Sequence, residues 1–153
     1  MDSNTREKGI IPGGMPPPVP HRRLQTIRIT ERKGCVVLFK KAEQKRLVRR
    51  EIQGGKGEAH CLYAISKGEG PEKSRFKMAA TMTLDPGASI GIHTHETDEE
   101  IYVILSGKGM YTDDDGSRSE VGPGDITLTM RGQKHGLEVS NDGPLTLLAF
   151  IAE

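Results

Sequence analysis

The second half of the chain alternates short apolar runs with polar residues, and turn signals recur every eight to twelve positions. This spacing is typical of the strands of a β-sandwich or barrel. Turns are predicted at 85–88, 113–116 and 123–125, where aspartate, glycine and proline cluster. The predicted strands comprise residues 58–66, 75–84, 89–95, 100–105, 108–113, 117–121, 126–130, 135–139 and 145–151.

The first half of the chain has a less regular pattern. The prolines of IPGGMPPPVP preclude a regular helix or a central strand, so we expect residues 1–34 to form an extended, proline-rich and basic arm. Residues 35–39 (CVVLF) predict a short strand, and residues 40–53 fit a helix or a strand equally well. The predicted organisation is therefore this arm followed by one all-β barrel over 35–153.

Composition narrows the class of protein. A chain of 153 residues suits one domain, and none of its apolar runs approaches the ~20 residues of a membrane span. The N-terminal residues have no apolar core followed by a small-residue cleavage site, so a cytoplasmic location is the expectation. Cys35 and Cys61 belong to no CxxC pair, and we expect them to be buried thiols.

Charge is unevenly distributed, although the net charge is only +1. Residues 1–60 hold 14 Lys/Arg and 6 Asp/Glu, a net of +8, whereas residues 61–153 hold 8 and 15, a net of −7. The basic run at 40–51 raises nucleic-acid binding as a hypothesis. No aromatic residues interleave these charges to stack on bases, so a solvated basic strand or arm that complements the acidic half is favoured.

The stretch GIHTHETDEEIYVILSGKG, residues 91–109, places two of the five histidines one residue apart. Because side chains alternate along a strand, His93 and His95 point to the same face and both rings can reach one metal ion. Glu100 opens the next predicted strand, where its carboxylate can face the histidine pair. Asp98 and the acid after it fit a solvated turn.

Residues 87–107 resemble the first sequence motif of the cupin superfamily, G-x5-HxH-x4-E-x6-G, at every defined position. Residues 124–139 are similar to the second motif, G-x5-P-x-G-x2-H-x3-N, and place His135 at its histidine. Met130 replaces the proline of that motif and Val139 replaces its asparagine. The resemblance extends over roughly residues 58–152, and it is closest to small single-domain bacterial cupins of the conserved-barrel type.

The resemblance implies a cupin double-stranded β-helix, which is a jelly-roll barrel. It also implies one divalent metal ion per subunit, bound by His93, His95, Glu100 and His135. Three imidazoles and one carboxylate suit Mn, Fe, Co, Ni or Zn, and they do not identify the native metal. On an octahedral ion, two positions would remain for water or a small ligand.

Three kinds of function stay open. The first is a metal-dependent isomerase, lyase, decarboxylase or dioxygenase acting on a small polar or carbonyl compound. The second is a non-catalytic module that binds or senses such a ligand in the same pocket. The third is nucleic-acid contact through the basic half. Tyr102, on the strand face of Glu100, is the candidate catalytic residue, whereas His60 is more typical of a strand surface. The candidates for holding an anionic substrate are Arg75, Lys77 and Arg131.

The predicted strand 100–105 is apolar on both faces. Ile101, Val103 and Leu105 point away from the face that carries Glu100. Apolar surface left in water costs about 25 cal/mol per Å². We therefore expect a homodimer in which strands or the segment 35–66 pack across this stripe.

Overall fold

The computed structural model describes residues 37–153, and the predicted arm and Cys35 lie outside them. The described residues contain ten strands and two short 3-10 helices, Lys41–Glu43 and Ile52–Gly54. The strands are β1 Lys45–Arg50, β2 Glu58–Ile65, β3 Phe76–Leu84, β4 Ser89–Thr94, β5 Glu99–Ser106, β6 Gly109–Thr112, β7 Arg118–Val121, β8 Ile126–Thr129, β9 Lys134–Val139 and β10 Leu145–Ala152.

The strands form two antiparallel sheets that enclose one core. Six strands pair in the order β1-β2-β3-β10-β5-β8, and four pair in the order β4-β9-β6-β7. Strand β10 shows how the sequence builds the core, because Leu145, Leu147 and Ala149 are fully buried and alternate with partly exposed residues. This arrangement confirms the prediction of an all-β jelly-roll barrel.

The predicted strands of the second half are confirmed, and the first half needs one correction. The ambiguous segment 40–53 contains β1, which pairs with β2 along the edge of the larger sheet. The predicted strand at 35–39 is wrong over residues 37–39, which are not part of a sheet, because Val37 and Leu38 stay 38% and 73% exposed and bury little apolar surface against it. The division into an arm over 1–34 and a barrel over 35–153 stays a prediction.

The outer face of the larger sheet carries the apolar stripe expected from the sequence. Ile101 and Leu105 of β5 are 37% and 46% exposed. The neighbouring edge strand β8 extends the stripe, since Leu128 lies opposite Ile101 and Ile126 lies opposite Val103. Both β8 side chains are more than half exposed. Within residues 37–153, no helix is long and apolar enough to cross a membrane.

Candidate metal centre

Two of the four predicted ligands face each other across a strand pair. His93 of β4 lies directly opposite His135 of β9. The register of this pair shifts between Ile90 and His93, which indicates a β-bulge at the intervening residues. Ile90 is buried and Ile92 is 60% exposed, so the bulge changes the alternation of faces and turns His93 toward the interior.

The other two predicted ligands flank the connection between β4 and β5. The backbone N–H of His95 donates to the Gln133 carbonyl over 2.9 Å, and the N–H of Gly132 donates to the His95 carbonyl over 2.7 Å. These two hydrogen bonds hold the end of β4 against the turn that precedes β9. Glu100, near the start of β5, faces inward and is only 3% exposed.

The four side chains converge on one point inside the barrel. Glu100 Oε2 lies 3.0 Å from Nε2 of His135, 3.2 Å from Nε2 of His95 and 3.8 Å from Nε2 of His93. One donor atom from each residue lies within 4.8 Å of the other three. The predicted ligand set therefore meets in space, and its spacing could hold a single metal ion.

Hydrogen bonds at the back of two rings leave Nε2 facing this point. Nδ1 of His93 lies 2.9 Å from the Gly91 carbonyl, and Nδ1 of His95 lies 2.8 Å from Asp98 Oδ1. Both partners are acceptors, so each Nδ1 carries a proton, and in the neutral ring each Nε2 carries the lone pair.

The atoms that meet at the cluster could hold a cation between them. Nε2 of His95 and Nε2 of His135 are 3.1 Å apart. Buried Glu100 Oε2 accepts no hydrogen bond of good geometry from the described residues. Lone pairs and a carboxylate oxygen that converge in this way fit a divalent metal.

The ionisation states of Glu100 and His135 also suit metal binding. Burial alone would raise the pKa of Glu100, but contacts with His135, His93 and His95 outweigh it and lower the pKa well below its usual range. Burial lowers the pKa of His135 and outweighs the opposing effect of Glu100. An ionised carboxylate beside a neutral imidazole is the state that metal binding requires.

Asp98 corrects the sequence interpretation. It was assigned to a solvated turn, but it is 7% exposed and accepts the hydrogen bond from His95. Its second oxygen lies 3.4 Å from Lys77 Nζ, which is 2.6 Å from Glu153 Oε1. Burial raises the pKa of Asp98, and His95 and Lys77 lower it by more. The signal in the sequence was the position of Asp98, three residues after His95.

Tyr102 and Tyr111 enclose His135 within the barrel. The Tyr102 ring lies 5.0 Å from the His135 ring, and the Tyr111 ring lies 5.7 Å from it. Burial, followed by the negative charge of Glu100, raises the pKa of Tyr102 well above 10. The Tyr102 phenol therefore keeps its proton, and it can act as a hydrogen-bond donor but not as a base near neutral pH.

A cavity of about 480 Å³ opens onto the cluster. It is lined by residues of β1 to β5, of β10 and of the segments beside these strands, among them His93, His95, Glu100 and Tyr102. A groove of about 610 Å³ beside β6 contains none of the four predicted ligands, so its size does not make it the better candidate.

Two other residues considered from the sequence lie outside the cluster. His60 is more than half exposed and lies 3.5 Å from Asp85, away from the cluster. Met130, which replaces the proline of the second motif, is half exposed and does not line the cavity.

Comparison with known proteins agrees with this architecture. The family model of the cupin domain, Cupin_2, matches residues 80–151. An oxalate-binding protein of Thermotoga maritima is 38% identical over 100 residues, which are 65% of this chain and 80% of that protein. This chain belongs to the cupin superfamily.

Solved cupin structures extend the likeness. The crystal structure of a predicted oxalate decarboxylase from Thermotoga maritima superposes on this cupin with a TM-score of 0.67 and 32% identity, over 76% of this chain and 98% of that one. A polyketide cyclase from Streptomyces resistomycificus gives a TM-score of 0.61 at 24% identity, over 77% and 80% of the two chains. At that identity the cyclase shows the shared fold alone.

Proposed function

We propose that this cupin binds one divalent metal ion through His93, His95, Glu100 and His135, and that the ion holds a small carboxylate ligand. The observation that supports the metal site most directly is the convergence of three imidazole nitrogens on buried Glu100 Oε2. The similar protein from Thermotoga maritima is described as oxalate-binding, which makes oxalate the first ligand to test.

The donor set restricts the metal and its chemistry. Three imidazoles and one carboxylate suit Mn, Fe, Co, Ni or Zn. When bound, such an ion supplies a Lewis acid that coordinates carboxylate or carbonyl oxygens. The chain itself contributes an ionised Glu100, the two rings oriented through His93 Nδ1 and His95 Nδ1, and the Tyr102 phenol beside them.

The side chains that line the cavity favour ligand binding over turnover. Each acid that lines it is already engaged: Asp98 with His95, Glu69 with Lys45 at 3.1 Å, and Glu100 with the three histidines. Tyr102 keeps its proton. A general base without a partner is therefore missing among the acids of the cavity wall. The second candidate is a metal-dependent decarboxylase or related enzyme, in which Tyr102 donates a proton or a hydrogen bond.

Metal analysis and calorimetry test the proposal together. Protein stripped with a chelator and reloaded should hold one metal ion per subunit and bind oxalate only when loaded. His95→Ala should lose both properties. His60→Ala is the matched control, because it removes a histidine that lies outside the cluster. Unchanged metal content in His95→Ala would refute the assignment. Release of formate or carbon dioxide from oxalate would favour the enzyme.

We also propose that the chain forms a homodimer through the outer face of β5 and β8. The exposed side chains of Ile101, Leu105, Ile126 and Leu128 form one apolar stripe. Among residues 37–153, strand β8 is also an edge of the six-stranded sheet, with backbone groups that no described strand pairs. A second copy would cover the stripe and the edge in one symmetric contact.

A further inference from the structure

The wall of the cavity contributed by β1 is basic. Lys45, Leu47 and Arg49 alternate along β1 and line the cavity, whereas Arg46 and the residues that alternate with it face the other side of the sheet. Lys45 is paired with Glu69. Arg49 makes no ion pair with any residue in 37–153, so its guanidinium is available to an anion in the cavity.

Tyr63 lies on β2, the strand that pairs with β1 beside the cavity. Tyr63 and Cys61 are buried on β2, and Tyr63 lines the same cavity. Burial raises the pKa of Tyr63, and the Arg49 guanidinium opposes that rise through its charge and a hydrogen bond. Burial raises the pKa of Cys61, and Arg49 opposes that as well. Arg49 and Tyr63 line this cavity together with His93, His95 and Glu100, so both face the space beside the cluster.

The charges around the cavity favour a ligand with two negative charges. Asp98 and Glu153 share Lys77 and leave one negative charge, which Lys67 on the cavity wall offsets, and Glu69 is balanced by Lys45. A divalent ion with ionised Glu100 and three neutral imidazoles carries a net charge of +1, and Arg49 adds another +1. A ligand with two negative charges would neutralise both, and the planar fork of an arginine matches the two oxygens of a carboxylate.

We propose that Arg49 and Tyr63 form a second anion-binding subsite, and that the preferred ligand of this cupin is a small dicarboxylate. One carboxylate binds at the metal, and the other accepts hydrogen bonds from Arg49 and Tyr63. This inference rests on the proposed function, because it needs the metal at the four-residue cluster. Beyond that function, it names the class of ligand, a small dicarboxylate, and the residue that selects it, Arg49.

The test uses Mn-loaded full-length protein and calorimetric titration with oxalate, malonate, succinate and acetate at low ionic strength. Arg49→Met should weaken binding of the best dicarboxylate about 10- to 100-fold and leave acetate unchanged. Arg49→Lys should recover part of the loss, since it keeps the charge but not the fork. Tyr63→Phe should cause a smaller loss. Arg46→Met is the matched control, because it removes the same charge from the opposite face of β1.

Each other outcome overturns the subsite. Equal dicarboxylate affinity in wild type and Arg49→Met means that Arg49 does not touch the ligand. An equal loss for acetate, or an equal loss in Arg46→Met, means that only general electrostatics is involved. Metal content and acetate binding separate the two proposals: wild type that binds Mn and acetate but binds no dicarboxylate more tightly than acetate refutes the subsite alone, whereas wild type that binds no metal refutes the proposed function and the subsite with it.

Discussion

The Nδ1 of His95 donates a hydrogen bond to Asp98 Oδ1 over 2.8 Å, and both side chains are buried. A carboxylate behind a metal-binding imidazole orients the ring and increases its basicity. Asp98 thus acts on the proposed metal through His95, and Lys77 compensates its charge from β3. Asp98 and Lys77, which lie outside the four proposed ligands, therefore help to support the proposed metal site.

Removing the charge of Asp98 should weaken metal binding while the barrel stays folded. Asp98→Asn can still accept the hydrogen bond from His95 but no longer polarises the ring, so we expect about a 10- to 100-fold loss of Mn affinity in competition with a chelator. Asp85→Asn is the matched control, since Asp85 lies beside the exposed His60. Equal Mn affinity in both variants would show that Asp98 has only a structural role.

Most of the four-residue cluster could be predicted from sequence. The spacing of His93 and His95, the glutamate that follows them and the histidine of the second motif are all local features of the sequence. The bulge before His93 could not be predicted. Strict alternation from buried Ile90 would have turned His93 outward. The contact that accompanies the bulge is nonlocal, since a Cβ at Gly91 would overlap the Gln53 carbonyl oxygen.

The basic wall of the cavity was missed for a related reason. Residues 40–53 fit two kinds of element until pairing with β2 decided between them. Because side chains alternate along a strand, Arg46 and Arg49 face opposite sides of the sheet only if this segment is a strand. The candidates predicted from the sequence to hold an anionic substrate were Arg75, Lys77 and Arg131. Of these, Lys77 instead forms ion pairs with Asp98 and Glu153.

Metal affinity should fall on acidification. Contacts with Glu100 and then Asp98 raise the pKa of His95 above its ordinary 6.5 in the metal-free protein, although burial opposes them. A bound cation must displace this proton, so affinity should decrease as the pH falls through the raised pKa, beginning above pH 6.5. Mn titrations from about pH 8 to about pH 5.5 should show this decline. A flat profile would contradict it.

Metal removal should destabilise the protein. A ligand at 100 times its dissociation constant stabilises the folded state by about 2.7 kcal/mol, which corresponds to a Tm shift of about 5–10 °C for a chain of this size. Thermal unfolding with Mn and with chelator measures the shift. The His95→Ala variant should show none, and a shift of equal size in that variant would place the stabilising ion elsewhere.

Replacing Gly107, the last glycine of the first motif, should destabilise the protein. Its φ is +82°, and a Cβ there would overlap the carbonyl oxygen of Pro144. Gly107→Ala should lower the free energy of unfolding by about 1–3 kcal/mol from backbone strain, with a further loss from the overlap. Gly116→Ala is the control, because its φ is +85° and a Cβ there meets no atom within 4 Å. Equal losses in urea denaturation would mean that the overlap relaxes freely.

The apolar stripe on β5 and β8 predicts that subunit association depends on Leu128 and Ile126. Their side chains are 54% and 66% exposed in the single chain, so replacing both with glutamate should disturb the barrel little. Two buried charges at the contact would, however, oppose association strongly. Light scattering at micromolar concentration should show a dimer for wild type and a monomer for the double variant, each with unchanged metal content. Ile92→Glu, on the smaller sheet and 60% exposed, is the control and should stay dimeric. A monomeric wild type would refute the dimer, and loss of the dimer in Ile92→Glu alone would move the contact to the other sheet.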